Sequence, residues 1–114
     1  MNVEQAISHI VAVLRDKYRP ERVILFGSRV SGIPDRDSDL DLLIVKESRK
    51  REVERIREVS RLLRPRPLPL DILVKTPREI EARLALGDEF LRDIIEHGKV
   101  VYERPAGHRV GRQG

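Results

Sequence analysis

Two aspartates separated by a single residue open an apolar run in the middle of the chain. Asp39 and Asp41 flank Leu40, and the run continues from Leu42 to Val45. Residues two apart in a strand project from the same face, so both carboxylates point to one side if this run is a strand. Neighbouring carboxylates repel each other, and a bound cation relieves that repulsion. Because the chain has no cysteine, these oxygen ligands favour Mg²⁺ over zinc.

A third acid, Asp71, interrupts a later apolar run between Leu70 and Ile72. If that run forms a strand beside the first one, its carboxylate meets the other two. Three converging carboxylates can hold two divalent ions about 3.5–4 Å apart, a geometry that suits in-line attack at phosphorus. The acids could equally be solvated at strand ends or paired with Arg29 or Arg36, because two aspartates at this spacing are a weak pattern.

A glycine turn lies upstream of the acid pair. The apolar run 23–26 is bounded by Gly27-Ser28, which predicts a buried strand that ends in a tight turn. Such a turn presents backbone N–H groups to which Gly27 admits a phosphate, while Ser28 can donate its hydroxyl. Arg29 or Lys75 could neutralise the phosphate charge. Alone the pair indicates only a turn, but eleven residues before two aspartates it predicts a phosphate cradle beside a metal site.

The elements that position these residues follow from apolar spacing. The spacing predicts helices over 3–18, 52–63, 77–86 and 88–97 and strands over 23–26, 39–45, 70–74 and 100–102. We therefore expect an α/β (α+β) fold, in which helices pack against a small mixed β-sheet. Thr76 as N-cap, Pro77 at the first helical position and Glu79 in a capping box are a strong helix-start signal.

For two helices, the spacing of apolar residues predicts which side chains point toward the core. The second helix is expected to bury one apolar side and to turn its basic side outward, with an inward set of Val53, Ile56, Val59 and Leu63. The last helix is expected to direct four apolar side chains inward, namely Phe90, Leu91, Ile94 and Ile95.

Composition limits the class of protein. With 114 residues we expect one domain over 1–104 and a flexible basic tail over 105–114. The lack of cysteine excludes disulfides, thiol catalysis and cysteine-bound zinc. The apolar runs are far too short for a membrane span, and the first residues carry no export signal, so we expect a soluble cytoplasmic protein.

Positive charge is concentrated in residues 46–66, which hold nine lysines and arginines against four glutamates. Such a surface can attract nucleic acid, nucleotides or an acidic partner. No aromatic residues are interleaved for base stacking, so a solvated helix face is the favoured interpretation and nucleic-acid binding is not expected.

These motifs together resemble the nucleotidyltransferase domain of the DNA polymerase beta superfamily. The resemblance rests on Gly27-Ser28, on Ser38-Asp39-Leu40-Asp41 at the start of an apolar strand, and on Asp71. Length and element order are most similar to the minimal nucleotidyltransferase (MNT) branch, and residues 90–103 resemble its closing helix and strand. The triplet Val30-Ser31-Gly32 departs from the Ala-Arg-Gly of many members.

The resemblance implies a polymerase-beta-like fold and a role for each site residue. Asp39 and Asp41 would bind two Mg²⁺ ions, for which Mn²⁺ can substitute, and Asp71 would bind the ion that activates an acceptor hydroxyl and act as general base. Gly27 and Ser28, with Arg29 beside them, would hold the phosphates of ATP or another nucleoside triphosphate. The hydroxyl would attack the α-phosphorus, and pyrophosphate would leave.

The resemblance also implies a partner. Many members of the branch are encoded beside a small helical HEPN toxin, and some act as antitoxins by adding AMP to it. We therefore expect transfer of AMP from ATP to a partner protein, with residues 46–66 or the tail as docking candidates, or a homo-oligomer that completes the acceptor site. The alternatives are an antitoxin that only binds, and a transferase with a small-molecule or RNA acceptor.

Overall fold

The computed structural model describes residues 2–27, 40–66 and 69–105, and their secondary structure is the mixed α/β type expected. Helix α1 continues without a break into a π-helical segment, Leu14–Tyr18. The elements in chain order are α1 (Val3–Val13), β1 (Arg22–Phe26), β2 (Leu40–Val45), α2 (Glu52–Leu62), β3 (Leu70–Lys75), α3 (Pro77–Ala85), α4 (Glu89–His97) and β4 (Lys99–Glu103).

The strands form one mixed sheet in the order β3-β2-β1-β4. Strand β1 is antiparallel to both β2 and β4, whereas β2 and β3 run parallel. Parallel neighbours need a crossover connection, and helix α2 lies within it. The expected neighbourhood of the second and third strands is therefore confirmed.

The two faces of the sheet carry separate apolar clusters. On the α1–α2 face, Leu40, Leu42 and Ile44 of β2 pack with residues of α1 and α2. On the α3–α4 face, Leu43 and Val45 pack with residues of α3 and α4. Side chains alternate along a strand, so every odd-numbered residue of β2 belongs to the α3–α4 face.

The first helix differs from the prediction in its last five residues. Apolar spacing predicted one α-helix over 3–18, but the segment Leu14–Tyr18 is π-helical, and the Arg19 N–H donates to the Leu14 carbonyl at 2.7 Å. Leu14 and Tyr18 are both buried. A spacing of four residues puts them on the core side in either form, so the pattern does not distinguish an α turn from a π turn.

The predicted capping box at the start of α3 is confirmed. The Glu79 N–H donates to the Thr76 hydroxyl at 3.1 Å, and the Thr76 N–H donates to a Glu79 carboxylate oxygen at 2.8 Å. Pro77 occupies the first turn, as expected. At the other end of this helix, Gly87 adopts a positive φ of 83°.

Two predicted helix faces are wrong in part, at two positions of α2 and at one position of α4. In α2, the basic side does not point outward throughout: Arg55 is only 4% exposed, whereas Val53 is 46% exposed. In α4, Leu91 and Ile94 are buried as expected, but Phe90 is 62% exposed. Helical periodicity identifies the apolar face of a helix. It does not show how much of that face other elements of the fold cover, and this coverage decides which side chains are buried.

The buried guanidinium of Arg55 donates hydrogen bonds to acceptors on three residues near β3, which is an edge strand of the sheet. Its guanidinium donates to both carboxylate oxygens of Glu79 at 2.7 and 3.0 Å, and also to the carbonyls of Val74 and Lys50 at 2.8 Å each. The Val74 N–H donates to Glu52 at 3.3 Å. Side chains of α2 thus satisfy the backbone of an edge strand and join α2 to α3.

No helix in the described part of the chain has both the length and the apolar character needed to cross a bilayer. The predicted tail lies outside the described residues apart from its first position, Pro105. Its flexibility therefore stays a prediction.

We predict that Glu79→Gln destabilises the fold by about 1–3 kcal/mol at neutral pH, because buried Arg55 then loses its hydrogen-bonded countercharge. The hydrogen bond from Arg55 lowers the pKa of Glu79 to about 2 from 4.5. A lowered folded-state pKa adds stability that is complete above the unfolded value and is lost as the pH falls from 4.5 toward 2.

Urea unfolding of wild type and Glu79→Gln between pH 7 and pH 2.5 checks this expectation. The difference in unfolding free energy should shrink as the pH falls through that window. Glu81→Gln, a change at an exposed position of the same helix, is the control and should leave stability within about 0.5 kcal/mol. A difference that is constant with pH would contradict the proposed role of the Arg55–Glu79 pair.

Candidate active site

Two of the predicted acids lie side by side across adjacent strands. Asp41 of β2 and Asp71 of β3 are partners in the parallel register, so their side chains project from the same face. The Leu40 N–H donates to the Pro69 carbonyl at 3.0 Å and holds the two strands together at this end. Asp41 is half-buried and Asp71 is exposed. One carboxylate is thus anchored in the fold while its neighbour faces solvent.

Phe26 of β1 extends this pair into a row across three strands. It is the antiparallel partner of Asp41, so Phe26, Asp41 and Asp71 follow one another on the α3–α4 face. Directly opposite residues have Cβ atoms about 4.5–5.5 Å apart. We call these three residues the cross-strand row. It lies at one end of the sheet, where β1 ends and where β2 and β3 begin.

Gly27 follows the row immediately and has no space for a side chain. Its φ is +91°, and a Cβ built on it would lie 2.1 Å from Oδ2 of Asp41. The Asp41 carboxylate therefore occupies the volume that any other residue would fill. From the sequence, Gly27 is expected to let a phosphate approach the backbone. In the structure the same glycine also admits the Asp41 carboxylate against the backbone of the turn.

Three other predicted site residues, Ser28, Arg29 and Asp39, lie outside the described residues. Their assignments to phosphate binding and metal binding stay predictions.

Lys75 does not lie where the phosphate interpretation needs it. It is at the opposite end of β3 from Asp71, and its ammonium group donates to Glu52 at 2.8 Å. The interpretation of Lys75 as a charge partner of a phosphate near Gly27 is wrong. Two-residue alternation places Lys75 and Asp71 on the same face, but they are four positions, about 13 Å, apart along the extended strand.

The donor set suits a magnesium ion. No group of three acidic or histidine side chains able to hold a metal ion lies within the described residues, and Asp39, the third predicted ligand, is outside them. Mg²⁺ is commonly held by only one or two carboxylates, with water and substrate phosphates completing its shell. Asp41 and Asp71 provide two such carboxylates on one face.

An aromatic contact that the sequence pattern does not predict lies beside the cross-strand row. The rings of Phe26 and Phe90 are 5.9 Å apart between centroids and inclined at 82°, an edge-to-face pair. Helical spacing assigned Phe90 to the core. Its position in the first turn of α4, two residues after the N-cap Asp88, was the available signal that it lies near the end of the packed layer.

Comparison with known proteins identifies the family. Residues 7–101 match the family model described as a nucleotidyltransferase domain. The chain belongs to this family. The expected membership of the nucleotidyltransferase group is therefore confirmed, and the matched range includes every predicted site residue.

One relative and one solved structure are similar over most of this nucleotidyltransferase domain. One is the "putative protein adenylyltransferase" of Methanocaldococcus jannaschii, 32% identical over 104 residues that cover 90% of this chain and all of the relative. The other is a crystal structure of a "putative nucleotidyltransferase" from Sulfolobus solfataricus, with a TM-score of 0.60 and 24% identity. That match covers 88% of this chain and 79% of the other, and it shows a shared fold.

We predict that Gly27→Ala destabilises the protein more than Gly87→Ala. Both glycines have a positive φ, 91° and 83°, but a Cβ at Gly87 meets nothing within 4 Å. Each alanine should cost about 1–2 kcal/mol in backbone strain, and Gly27→Ala should cost about 1–3 kcal/mol more because the Asp41 carboxylate must move.

Urea unfolding of the two variants measures the difference directly, because Gly87→Ala controls for the backbone term. Equal losses of unfolding free energy would show that the Asp41 carboxylate does not pack against Gly27 as described.

Proposed function

We propose that this nucleotidyltransferase domain transfers AMP from ATP to a hydroxyl group of a partner protein in a metal-dependent reaction. The observation that carries the proposal is the in-register pair Asp41 and Asp71, with Gly27 packed against the first of them. Membership of the nucleotidyltransferase family supports the reaction class. The adenylyltransferase name of the relative from Methanocaldococcus jannaschii supports AMP as the transferred group and a protein as acceptor.

The proposed cofactor is Mg²⁺, as two ions, with Mn²⁺ as a substitute. Asp41 and Asp71 would hold the metal together with Asp39. When bound, the metal would neutralise phosphate charge that the carboxylates alone would repel. The fit rests on hard oxygen donors on one face of the sheet, which match the preference of Mg²⁺.

The residues of the chain would then act by position and by proton transfer. Gly27 and Ser28, with Arg29 nearby, would hold the β- and γ-phosphates at the end of β1. The acceptor oxygen would attack the α-phosphorus, and the bond from that phosphorus to the bridging oxygen would break, so that pyrophosphate leaves. Asp71 is the more exposed carboxylate and would accept the hydroxyl proton. Orientation accounts for much of the rate in such transfers.

The proposed acceptor is a small helical HEPN protein encoded beside this one, which AMP transfer would neutralise as a toxin. The proposal rests on the resemblance of the motifs to the MNT branch. Helix α2 and the residues around it add a basic surface, with exposed arginines Arg49, Arg51, Arg57, Arg61, Arg64 and Arg66. A surface of this charge suits an acidic partner and would speed encounter with it.

We predict that Asp41→Asn and Asp71→Asn each reduce AMP transfer by at least about 100-fold, because each removes a charged group from the reacting centre. The measurement is transfer of label from α-labelled ATP to the neighbouring HEPN protein. Asp93→Asn, at an exposed site on α4 paired with His97 at 3.0 Å, should transfer label at the wild-type rate.

The outcomes separate the candidate functions. Label on the HEPN protein that disappears in Asp41→Asn supports the proposal. Neutralisation of the toxin that survives in Asp41→Asn, without label, would instead support an antitoxin that acts by binding alone. Label found only on a small molecule or on RNA would contradict the protein acceptor but keep the reaction class.

We also predict that Asp41 and Asp71 are needed for metal binding itself. Titration of Mn²⁺ followed by electron paramagnetic resonance should give a dissociation constant at least about tenfold higher in Asp41→Asn and Asp71→Asn than in Asp93→Asn. Removal of metal with a chelator should abolish AMP transfer, and added Mg²⁺ should restore it. Wild-type Mn²⁺ affinity in both site variants would contradict the metal assignment.

A further inference from the structure

Phe90 is unusual among the apolar residues of α4. Leu91 and Ile94 of the same helix are 3% and 2% exposed, whereas Phe90 is 62% exposed. Burial of a phenylalanine side chain is worth about 1.5–3 kcal/mol, and this residue forgoes much of that stabilisation. Single exposed apolar residues are common on protein surfaces, so exposure by itself indicates no ligand. The position of the Phe90 ring beside the candidate site is the observation that points to a ligand.

The Phe90 ring is held next to the cross-strand row. It meets the Phe26 ring edge to face, with 5.9 Å between centroids and an interplanar angle of 82°. Phe26 is the direct cross-strand partner of Asp41. The Phe26 side chain therefore lies between Phe90 and the half-buried Asp41. The contact with Phe26 holds the Phe90 ring on one side, while most of the Phe90 surface stays exposed to solvent.

The chain has few aromatic residues, and they are divided between the two faces of the sheet. It contains two phenylalanines, two tyrosines and no tryptophan. Tyr18 and Tyr102 belong to the cluster on the α1–α2 face. Phe26 and Phe90 are therefore the aromatic residues on the face that carries Asp41 and Asp71, and of these two Phe90 is the more exposed.

A nucleoside triphosphate has the two kinds of chemistry that this arrangement offers. Its phosphates need a cation held by carboxylates, and its base is a flat ring that stacks on an aromatic side chain. The two groups are joined by a single ribose, so a base platform must lie close to the phosphate site. Leu86, at the end of α3, is even more exposed at 78% but is aliphatic, and it provides no such face.

We propose that Phe90 is the stacking platform for the base of the nucleoside triphosphate, with Phe26 as the residue that orients its ring. The inference rests on the proposed function, since it takes the phosphates to bind beside Asp41 and Asp71. A phenylalanine ring has no hydrogen-bond donor or acceptor, so this contact supports any purine and by itself selects neither adenine nor guanine.

The test compares a ligand that has a base with one that lacks it. Calorimetric titrations with ATP and with inorganic tripolyphosphate, both in the presence of Mg²⁺, are made on wild type, Phe90→Ala, Phe90→Trp and Leu86→Ala. Phe90→Ala should bind ATP roughly ten- to a hundredfold more weakly and tripolyphosphate as well as wild type does. Phe90→Trp should restore ATP binding, and the matched control Leu86→Ala should change neither affinity.

Other outcomes overturn the inference in distinguishable ways. Equal weakening of ATP and tripolyphosphate in Phe90→Ala would mean that Phe90 only supports the structure of the site. Unchanged ATP affinity in Phe90→Ala would exclude a stacking role, and a raised KM for the acceptor protein in the same variant would assign the ring to acceptor contact. Failure of wild type to bind either ligand would overturn the proposed function itself, and the inference with it.

Discussion

The register between two parallel strands is the constraint on which the candidate site depends. Asp41 and Asp71 share a face only because β2 and β3 pair with these residues opposite each other. A slip of β3 by one residue would turn each of its side chains to the opposite face of the sheet. The Asp71 carboxylate would then leave the face that carries Asp41. Leu70 and Val74 are buried in the cluster on the α1–α2 face, so such a slip would remove them from that cluster. Hydrophobic burial on one face thus fixes the position of charge on the other.

Contacts at the far end of β3 reinforce the same register. Glu52 accepts from the Val74 N–H, and Arg55 donates to the Val74 carbonyl while it binds Glu79 of α3 with two hydrogen bonds. Arg55 is buried whereas the Glu79 side chain is 42% exposed, so loss of the Glu79 carboxylate would leave a buried guanidinium without its hydrogen-bonded countercharge. This cluster therefore ties the strand that carries Asp71 to helices on both sides of the sheet.

The α3–α4 face combines packing and site in one surface. Leu43 and Val45 of β2 are covered by the helices, while Asp41 of the same strand and face lies at the end of the sheet beside Gly27. Phe90 stands at the boundary between the two regions, in contact with Phe26 but largely exposed. The packed part of the face and the candidate site are separated along a single strand, because side chains two residues apart point to the same side but meet different neighbours.

Local patterns in the sequence predicted most of the elements, the start of α3 and the residue types of the candidate site. Periods of 2 and 3.6 are local properties, and the capping box Thr76–Glu79 lies within four consecutive residues, so both could be derived from the chain and were found. The acids and Gly-Ser motif were enough to indicate the nucleotidyltransferase family, which the match over residues 7–101 confirmed. Only the folded chain shows the strand order, the burial of Arg55, the exposure of Phe90 and the contact of Gly27 with Asp41. Each of these depends on partners distant in sequence, because periodicity determines which way a side chain points but not which residues it meets there.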